Sequence, residues 1–161
     1  MKIARLVIAG SLLASGFALS AKPASTSAAA PSGQDLIVAR QAGMDMSAST
    51  LILLKNASSN GAALKTLTFP AAGLAKFAGV MPTLFADSTK SLSSRAKPNV
   101  WTDRAGFEAK AAEFATAAKA LTAAAAADDK TAFDAALAST GLACKGCHET
   151  YQAPPPATKP G

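Results

Sequence analysis

The stretch that decides the fold lies near the C-terminal end and reads Cys144-Lys145-Gly146-Cys147-His148. On a helix, side chains at positions i, i+3 and i+4 share one face, so both thiols and the imidazole can address one flat macrocycle. Two cysteines separated by two residues and followed by histidine form the attachment motif of c-type haem. The thiols would form thioethers with the haem vinyl groups, and His148 would bind the iron. The chain has no other cysteine or histidine.

Other uses of this motif fit the chain less well. A structural zinc site needs four ligands, and the rest of the chain offers no further thiolate or imidazole. A thioredoxin-like dithiol requires a strand–helix context, whereas the surroundings here are rich in alanine and helical in character. A structural disulfide across two residues closes too small a loop to stabilise much. We therefore predict one covalently attached haem c with its iron, held by Cys144, Cys147 and His148.

Helical patterns dominate the body of the chain. Apolar residues recur at close to helical spacing, alanine and lysine are abundant, and no strand alternation of any length is present. The pattern predicts helices over about 34–56, 70–82, 102–127 and 128–151, with a long connection between the second and the third. Thr102 or Asp103 can cap the third helix, and Asp128 or Asp129 the fourth. The short turn between them implies antiparallel neighbours. We predict an all-α fold, an antiparallel four-helix bundle.

The two ends of the chain have a different composition. Residues 1–21 combine a positive start, a short apolar run and small residues, which is typical of a secretory signal peptide. Since the run is shorter than the ~20 residues of a spanning helix, we expect cleavage and no membrane span afterwards. We predict a flexible leader over 22–33, the haem-binding bundle over 34–152 and a disordered, Pro-rich tail over 153–161.

Export and charge bear on the location and the partners. Covalent haem attachment in bacteria occurs outside the cytoplasm, so we expect a periplasmic protein. The formal net charge of +6 is spread along the chain, which would favour an acidic redox partner protein. No motif supports binding to nucleic acid.

Two further stretches carry a resemblance to a known family. Arg40-Gln41-Ala42-Gly43-Met44 lies in the first predicted helix, and Lys97-Pro98-Asn99-Val100-Trp101 leads into the third, followed by Phe107. With a haem motif near the C-terminus, the chain resembles the cytochrome c-prime family, the class II c-type cytochromes. The resemblance implies a left-handed four-helix bundle, often a homodimer, with haem packed between the helices.

The resemblance also assigns roles to two residues of the first helix. Arg40 matches a family arginine that approaches a haem propionate, a charge-assisted contact; the alternative is a surface charge. Met44 lies four residues later, on the same helix face, and matches the family's distal-side residue. In low-spin members a methionine there is the sixth iron ligand, which suits electron transfer. In other members the residue fills space above an open five-coordinate iron, which suits a small gas. A methionine that only fills the core is the third alternative.

The remaining residues favour one of these functions. Met46 should point away from Met44, and Met81, beside Pro82, is less well placed for the iron. Family members commonly carry a basic residue after the tyrosine that follows the haem motif, and this residue has been linked to gas binding near the proximal histidine. Because this chain has Gln152 there, we predict an electron-transfer cytochrome with His148 and Met44 as iron ligands. Binding of nitric oxide or carbon monoxide is the alternative. Without a second histidine, we expect no enzymatic activity.

Overall fold

The computed structural model describes residues 30–155 of the chain. The helices are α1 (Gly33–Ser59), α2 (Thr68–Val80), α3 (Asn99–Thr102), α4 (Arg104–Ala127) and α5 (Lys130–Tyr151), with three short 3-10 turns at Leu64–Leu67, Met81–Leu84 and Asp87–Thr89. No strand occurs within these residues; one isolated antiparallel bridge joins Ala96 to Gln152. The predicted signal peptide, and most of the predicted leader and tail, lie outside the described residues.

The first helix starts with a capping box. The Ser32 hydroxyl accepts a hydrogen bond from the Asp35 N–H at 3.2 Å, and the Asp35 carboxylate accepts one from the Ser32 N–H at 2.9 Å. Such reciprocal bonds satisfy N–H groups that a helix start leaves without partners. They begin α1 at Gly33, which is one residue inside the range that we predicted as leader. At the other end, Gly61 adopts φ 76°, a left-handed conformation that glycine tolerates at low cost.

Aspartates set the bounds of the last two long helices. Asp103 accepts a hydrogen bond from the Gly106 N–H at 3.2 Å and caps α4. The helix ends at Asp128, which is left-handed with φ 60°, and Asp129 then caps α5 by accepting from the Ala132 N–H at 2.9 Å. Asp103 divides the third predicted helix into the single turn of α3 and the long α4, because its backbone, with φ −117° and ψ 55°, is not helical.

The four long helices α1, α2, α4 and α5 form an all-α bundle, as predicted. Helix α4 packs most extensively against α2 and α5, whereas α1 makes far fewer close backbone approaches. Alanines on the inner face of α4, among them Ala118 and Ala125, are fully buried, and such small side chains let neighbouring helices approach closely. The looser seating of α1 leaves room beside α5 for the site described below.

Two groups of buried side chains fill the bundle. The first, here called the large core, joins α1, α2, α4 and α5 and is mostly leucine and alanine around two phenylalanines. Its buried members are Leu54, Leu64, Leu67, Ala71, Leu74, Ala78, Phe114, Ala118, Leu121, Ala124, Ala125, Phe133, Ala136 and Ala143. The second, here called the cleft core, lies near the start of α4 and the end of α5. It consists of Met81, Val100, Phe107, Ala111 and Tyr151.

Aromatic contacts hold the cleft core together. The Phe107 ring meets the Phe85 ring edge-on at a centroid distance of 4.9 Å and the Tyr151 ring at 5.4 Å, the arrangement that aromatic quadrupoles favour. Trp101 packs against this group and donates its indole N–H to the carbonyls of Phe85 and Ala86. The tryptophan therefore packs the bundle.

Among residues 30–155, no helix combines the length and the apolar character that crossing a membrane requires.

Candidate haem-binding site

Two adjoining cavities lie between α1 and α5. The larger has a volume of about 340 Å³ and the smaller about 100 Å³. Four residues line both: Met44, Met81, Cys147 and His148. The larger cavity falls within the range of about 300–1,000 Å³ that is usual for ligand sites. The predicted site residues Arg40, Met44, Cys147 and His148 all line it, and Cys144 lines the smaller one.

The haem motif occupies the last turns of α5. Cys144 and Cys147 are half-buried, and neither is in a disulfide. Burial raises the pKa of the Cys144 thiol. Burial, followed by the negative charge of Cys144, raises that of Cys147. Both side chains are therefore neutral thiols at pH 7. Within residues 30–155, no group of three or more His, Cys, Asp or Glu side chains is arranged to hold a metal ion directly, so the zinc alternative gains no support there.

The imidazole of His148 is kept neutral. The residue is exposed overall, but partial burial of its ring against the cavities lowers its pKa, and the positive charge of Arg95 lowers it further. A histidine must be neutral to ligate a metal. The site thus presents His148 in the protonation state that an iron ligand needs.

Arg40 is a buried cation without an anionic partner among the described residues. It is 4% exposed and donates to the Leu84 carbonyl at 3.2 Å, the Thr89 hydroxyl at 3.1 Å and the Ser94 hydroxyl at 2.9 Å. Its guanidinium also lies 4.3 Å from the centre of the Phe85 ring, a cation–π contact. Burial lowers its pKa. Because a guanidinium carries five N–H donors, two remain for another acceptor.

The lining of the two cavities fits a macrocycle with one apolar and one anionic edge. Around the smaller cavity stand Leu51, Phe114, Ala143 and the two cysteines, together with few polar groups. Around the larger cavity stand two arginines, Arg40 and Arg95, with Asp45 as the carboxylate. Haem c has vinyl-derived thioethers on one side and two propionates on the other. Arg40 is a desolvated cation without an anionic partner among the described residues, and a haem propionate would supply that partner. The residues present therefore fit haem c.

The methionines are placed partly as expected. Met44 lines both cavities, and Met46, on the opposite side of α1, is 70% exposed. Met81, which we considered less well placed, is 2% exposed and also lines both cavities. The 3-10 turn that begins at Met81 directs the chain back toward α1, and nothing in the helical spacing around Pro82 indicates this turn.

Comparisons with known proteins decide the family. The family model described as "Cytochrome C'" matches residues 35–152. The chain belongs to the cytochrome c' family. It is 45% identical over 71 residues to a cytochrome c' of Rubrivivax gelatinosus, a match that covers 44% of this chain and 55% of the relative. The chain thus spans about half the length of the curated relative it matches.

Solved cytochrome c' structures share the fold. One, described as having an unusual ligand-controlled dimer dissociation, superposes with a TM-score of 0.73 at 27% identity and covers 78% of this chain and 100% of that one. Another is a nitric oxide complex of a variant of the protein from Alcaligenes xylosoxidans, with a TM-score of 0.70 at 25% identity over 76% of this chain and 98% of that one. Membership of the cytochrome c' family implies haem c with iron, so the chain is a haem-binding c-type cytochrome.

The irregular connection before α4 contributes residues that the sequence did not reveal. Phe85 and Arg95 line the larger cavity, yet neither belongs to a periodic pattern. Gln152, the departure from cytochrome c' relatives that we noted, lines it too. Gln152 carries no charge, but Arg95 lines the same cavity and supplies a cation that acts on His148.

The same connection closes the end of α5. The Lys97 ammonium donates to the carbonyls of Glu149 and Thr150, and the Asn99 amide also donates to the Thr150 carbonyl. The Lys97 backbone N–H donates to the Tyr151 carbonyl at 2.9 Å. The last carbonyls of a helix lack partners within it, so these bonds fix the turn that carries His148.

Tyr151 is tied to the start of α4. Its hydroxyl donates to the Asp103 carboxylate at 2.7 Å. This hydrogen bond, followed by burial and by the charge of Asp103, raises the pKa of Tyr151 to about 12. The bond joins the α4 cap to the end of α5 across the wall of the larger cavity.

Proposed function

We propose that this cytochrome binds one covalent haem c and that the iron takes up a small gas, nitric oxide or carbon monoxide. Cys144 and Cys147 would form the thioethers, His148 would be the axial ligand and Arg40 would hold a propionate. The iron of haem supplies the bond to the gas, and the protein supplies attachment, orientation and the surroundings. The observation that carries the proposal is the α1 and α4 side of the smaller cavity, where Met44, Ala48, Leu51 and Phe114 leave an apolar wall beside the space that the macrocycle would fill.

The walls of this cavity suit a small neutral ligand. Leu51, Ala48 and Phe114 offer no hydrogen-bond donors from their side chains, and Met44 and Met81 offer only thioethers. Outside the haem motif, the two donors that also line it have partners of their own: the Lys110 ammonium donates to the Glu113 carboxylate and the Ser47 hydroxyl to the Gly43 carbonyl. Such a wall favours a diatomic gas over a charged or strongly solvated ligand. The nitric oxide complex of a cytochrome c' relative supports the same choice. Gas binding, our alternative from the sequence, therefore replaces electron transfer as the leading proposal.

Electron transfer with Met44 as sixth ligand is the second candidate. One observation favours it: Met44 lines both of the cavities that His148 lines. A thioether opposite an imidazole would raise the reduction potential and close the iron to gases. In that case a redox partner protein would be required in place of a gas.

An optical and ligand-binding experiment separates the two candidates. We would record ferric and ferrous spectra of the haem-loaded wild type, Met44→Ala and Met46→Ala, and titrate each ferrous form with carbon monoxide. Met46→Ala is the matched control, since that side chain is 70% exposed on the same helix. Gas binding requires high-spin spectra in all three proteins and gas uptake without a prior ligand-displacement step. A low-spin wild type that becomes high-spin only in Met44→Ala would instead establish electron transfer.

We propose no enzymatic function. Asp45 does line the larger cavity, and its carboxylate could act as the acid–base group that a peroxidase needs. We therefore test for peroxidase activity directly. Peroxide turnover no faster than that of free haem, unchanged in Asp45→Asn, is the expected result. Turnover that exceeds free haem and falls in this variant would make the protein a peroxidase.

We also propose that the chain is exported to the periplasm. Two points support export. Residues 1–21 have the composition of a signal peptide, and covalent attachment of haem c in bacteria takes place outside the cytoplasm. Mass spectrometry of the protein from the periplasmic fraction should find a chain that begins near residue 21 and carries one haem.

We propose a homodimer built on the outer faces of α1 and α2. On α1, Val38, Ile52 and Leu53 are 55%, 62% and 51% exposed and fall on one side of the helix, opposite the core; on α2, Phe69 is 86% exposed. Several large apolar side chains exposed on one side of a helix form an apolar stripe that can serve as an interface. The dimer named in the description of one structural relative supports a second copy as the occupant.

Sedimentation tests the dimer. Leu53→Asp should convert a two-chain mass to a one-chain mass, because it places a charge in the apolar stripe. Leu142→Asp is the control, since Leu142 is 69% exposed on α5, outside the stripe. Equal masses for both variants would argue against this interface.

A further inference from the structure

Arg95 is a second cation at the same end of the site as Arg40. The two arginines line the larger cavity, and neither lines the smaller one, where the two cysteines lie with Phe114 and Leu51. The larger cavity therefore has two arginines, whereas the smaller one is mainly apolar, with Lys110 as the cationic residue on its wall. The apolar end is suited to the vinyl-derived side of the macrocycle and the cationic end to its carboxylate side.

One arginine is not enough for that carboxylate side. Haem c has two propionates, and Arg40 keeps only two N–H donors beyond its bonds to Leu84, Thr89 and Ser94. One planar fork of two donors matches a single carboxylate. A second carboxylate in the same cavity would need another positive group.

Arg95 is held in place for this role. Its Nε and Nη2 atoms donate to the Ala153 carbonyl at 2.9 and 2.8 Å, and the Ala153 N–H donates back to the Arg95 carbonyl at 2.7 Å. Ala153, the first residue of the predicted disordered tail, is thus ordered by Arg95. No carboxylate among the described residues pairs with Arg95, and the bonds found there leave its Nη1 donors without an acceptor.

The two arginines are also linked through the chain. Ser94, which accepts from Arg40 Nη2 at 2.9 Å, is the residue directly before Arg95. The segment that positions one guanidinium therefore positions the other. Arg95 and His148 line the same cavity as Arg40, so both arginines border the space that the macrocycle would fill.

We propose that Arg95 binds the second haem propionate, while Arg40 binds the first. The inference rests on the proposed attachment of haem at Cys144, Cys147 and His148. It assigns the Ala153 carbonyl the task of orienting Arg95, so the C-terminal segment takes part in holding the macrocycle.

Resonance Raman spectroscopy of the haem-loaded protein tests this assignment. Propionate bending bands shift when a hydrogen bond to the carboxylate is lost, and a merely structural role of Arg95 would leave them unmoved. We expect Arg95→Gln to shift one propionate band, Arg40→Gln to shift the other, and the double variant to shift both. Lys119→Gln, which removes the same charge from an exposed position on α4, should shift neither.

Two further measurements keep the outcomes distinct. Arg95→Lys retains the charge but not the paired bonds to Ala153, and should give a smaller band shift than Arg95→Gln; this variant also serves if Arg95→Gln fails to fold. The haem content of each protein is measured first, since a wild type without covalent haem would overturn the proposed attachment itself. Full haem content with propionate bands that move only in Arg40→Gln would overturn the assignment to Arg95.

Discussion

The two cores of this bundle are built differently. The large core is made of leucine, alanine and two phenylalanines from four helices, and Leu54, Leu121 and Phe133 in it are completely buried. The cleft core is a small aromatic group from α4, α5 and the irregular connection, and most of it forms the wall of the larger cavity. The large core is closed by the protein's own side chains, except where Phe114 and Ala143 border the smaller cavity. The other is packed on one side and faces the haem site on its remaining side.

This difference separates stability from function within one bundle. The large core packs α2, α4 and α5 against one another through the protein's own side chains. The cleft core positions Phe85, Phe107 and Tyr151 for a ligand. Changes in the first region, away from Phe114 and Ala143 at the smaller cavity, should alter the free energy of unfolding and leave the haem spectrum intact. Changes in the second should alter both.

The largest expected effect comes from truncation in the large core. Phe133→Ala should lower the free energy of unfolding by about 3–5 kcal/mol, because it leaves a cavity among side chains that cannot collapse fully. Urea unfolding measures the loss, and the haem absorption spectrum should not change. Phe107→Ala, in the cleft core, should cost a similar amount and also shift the spectrum. Leu142→Ala, at a 69% exposed position outside the proposed dimer interface, is the control. Equal spectral shifts from Phe133→Ala and Phe107→Ala would contradict the view that only the cleft core shapes the haem site.

A smaller effect is expected where the two cores meet. Phe77 packs against both, and a Cβ on Gly43 would collide with its ring. Gly43→Ala should therefore destabilise the protein by about 1–3 kcal/mol, as overpacking does. Gly73→Ala is the matched control on α2, since a Cβ there meets nothing within 4 Å, and it should stabilise by about 0.5–1 kcal/mol. If thermal melting shows a gain for both variants, Phe77 moves aside freely and the cores are not coupled through it.

The smallest effect depends on pH. Tyr151, with its pKa raised to about 12 by Asp103, titrates near 10 when unfolded. Its hydrogen bond therefore contributes stability that is fully present below about pH 10 and is lost as the pH rises to about 12. The difference in unfolding free energy between wild type and Tyr151→Phe should be constant up to pH 10 and shrink above it. A difference that stays constant to pH 12 would show that the bond does not contribute to stability.

Much of the fold was readable from the sequence because its signals are local. The haem motif lies on a helix as its spacing requires, and Asp103 and Asp129 cap the helices we assigned to them. The four-residue spacing of Arg40 and Met44 was enough to place both on the face that lines the larger cavity. These features depend on neighbours within one or two helical turns.

The rest of the site depends on contacts between distant segments. Met81, Phe85 and Arg95 come from the connection between α2 and α4, where no hydrophobic period exists to align them. Arg95 acquires its role only because Ala153 folds back beside it. The charge that we judged missing at Gln152 comes from that segment. The choice between gas binding and electron transfer likewise depends on the shape and lining of a cavity, which the spacing of residues in the sequence does not predict.

The connection from Arg95 to Asn99 has a consequence for the exchange of amide hydrogens. Helix ends usually fray, so their amides exchange with solvent through local openings that need little free energy. Here the Lys97 and Asn99 side chains and the Lys97 amide hold the final carbonyls of α5. The last turn, with His148, can open only if residues 95–99 detach from it. Its amides should exchange as slowly as those in the middle of the helix, and the iron ligand would then be as rigid as the centre of the bundle.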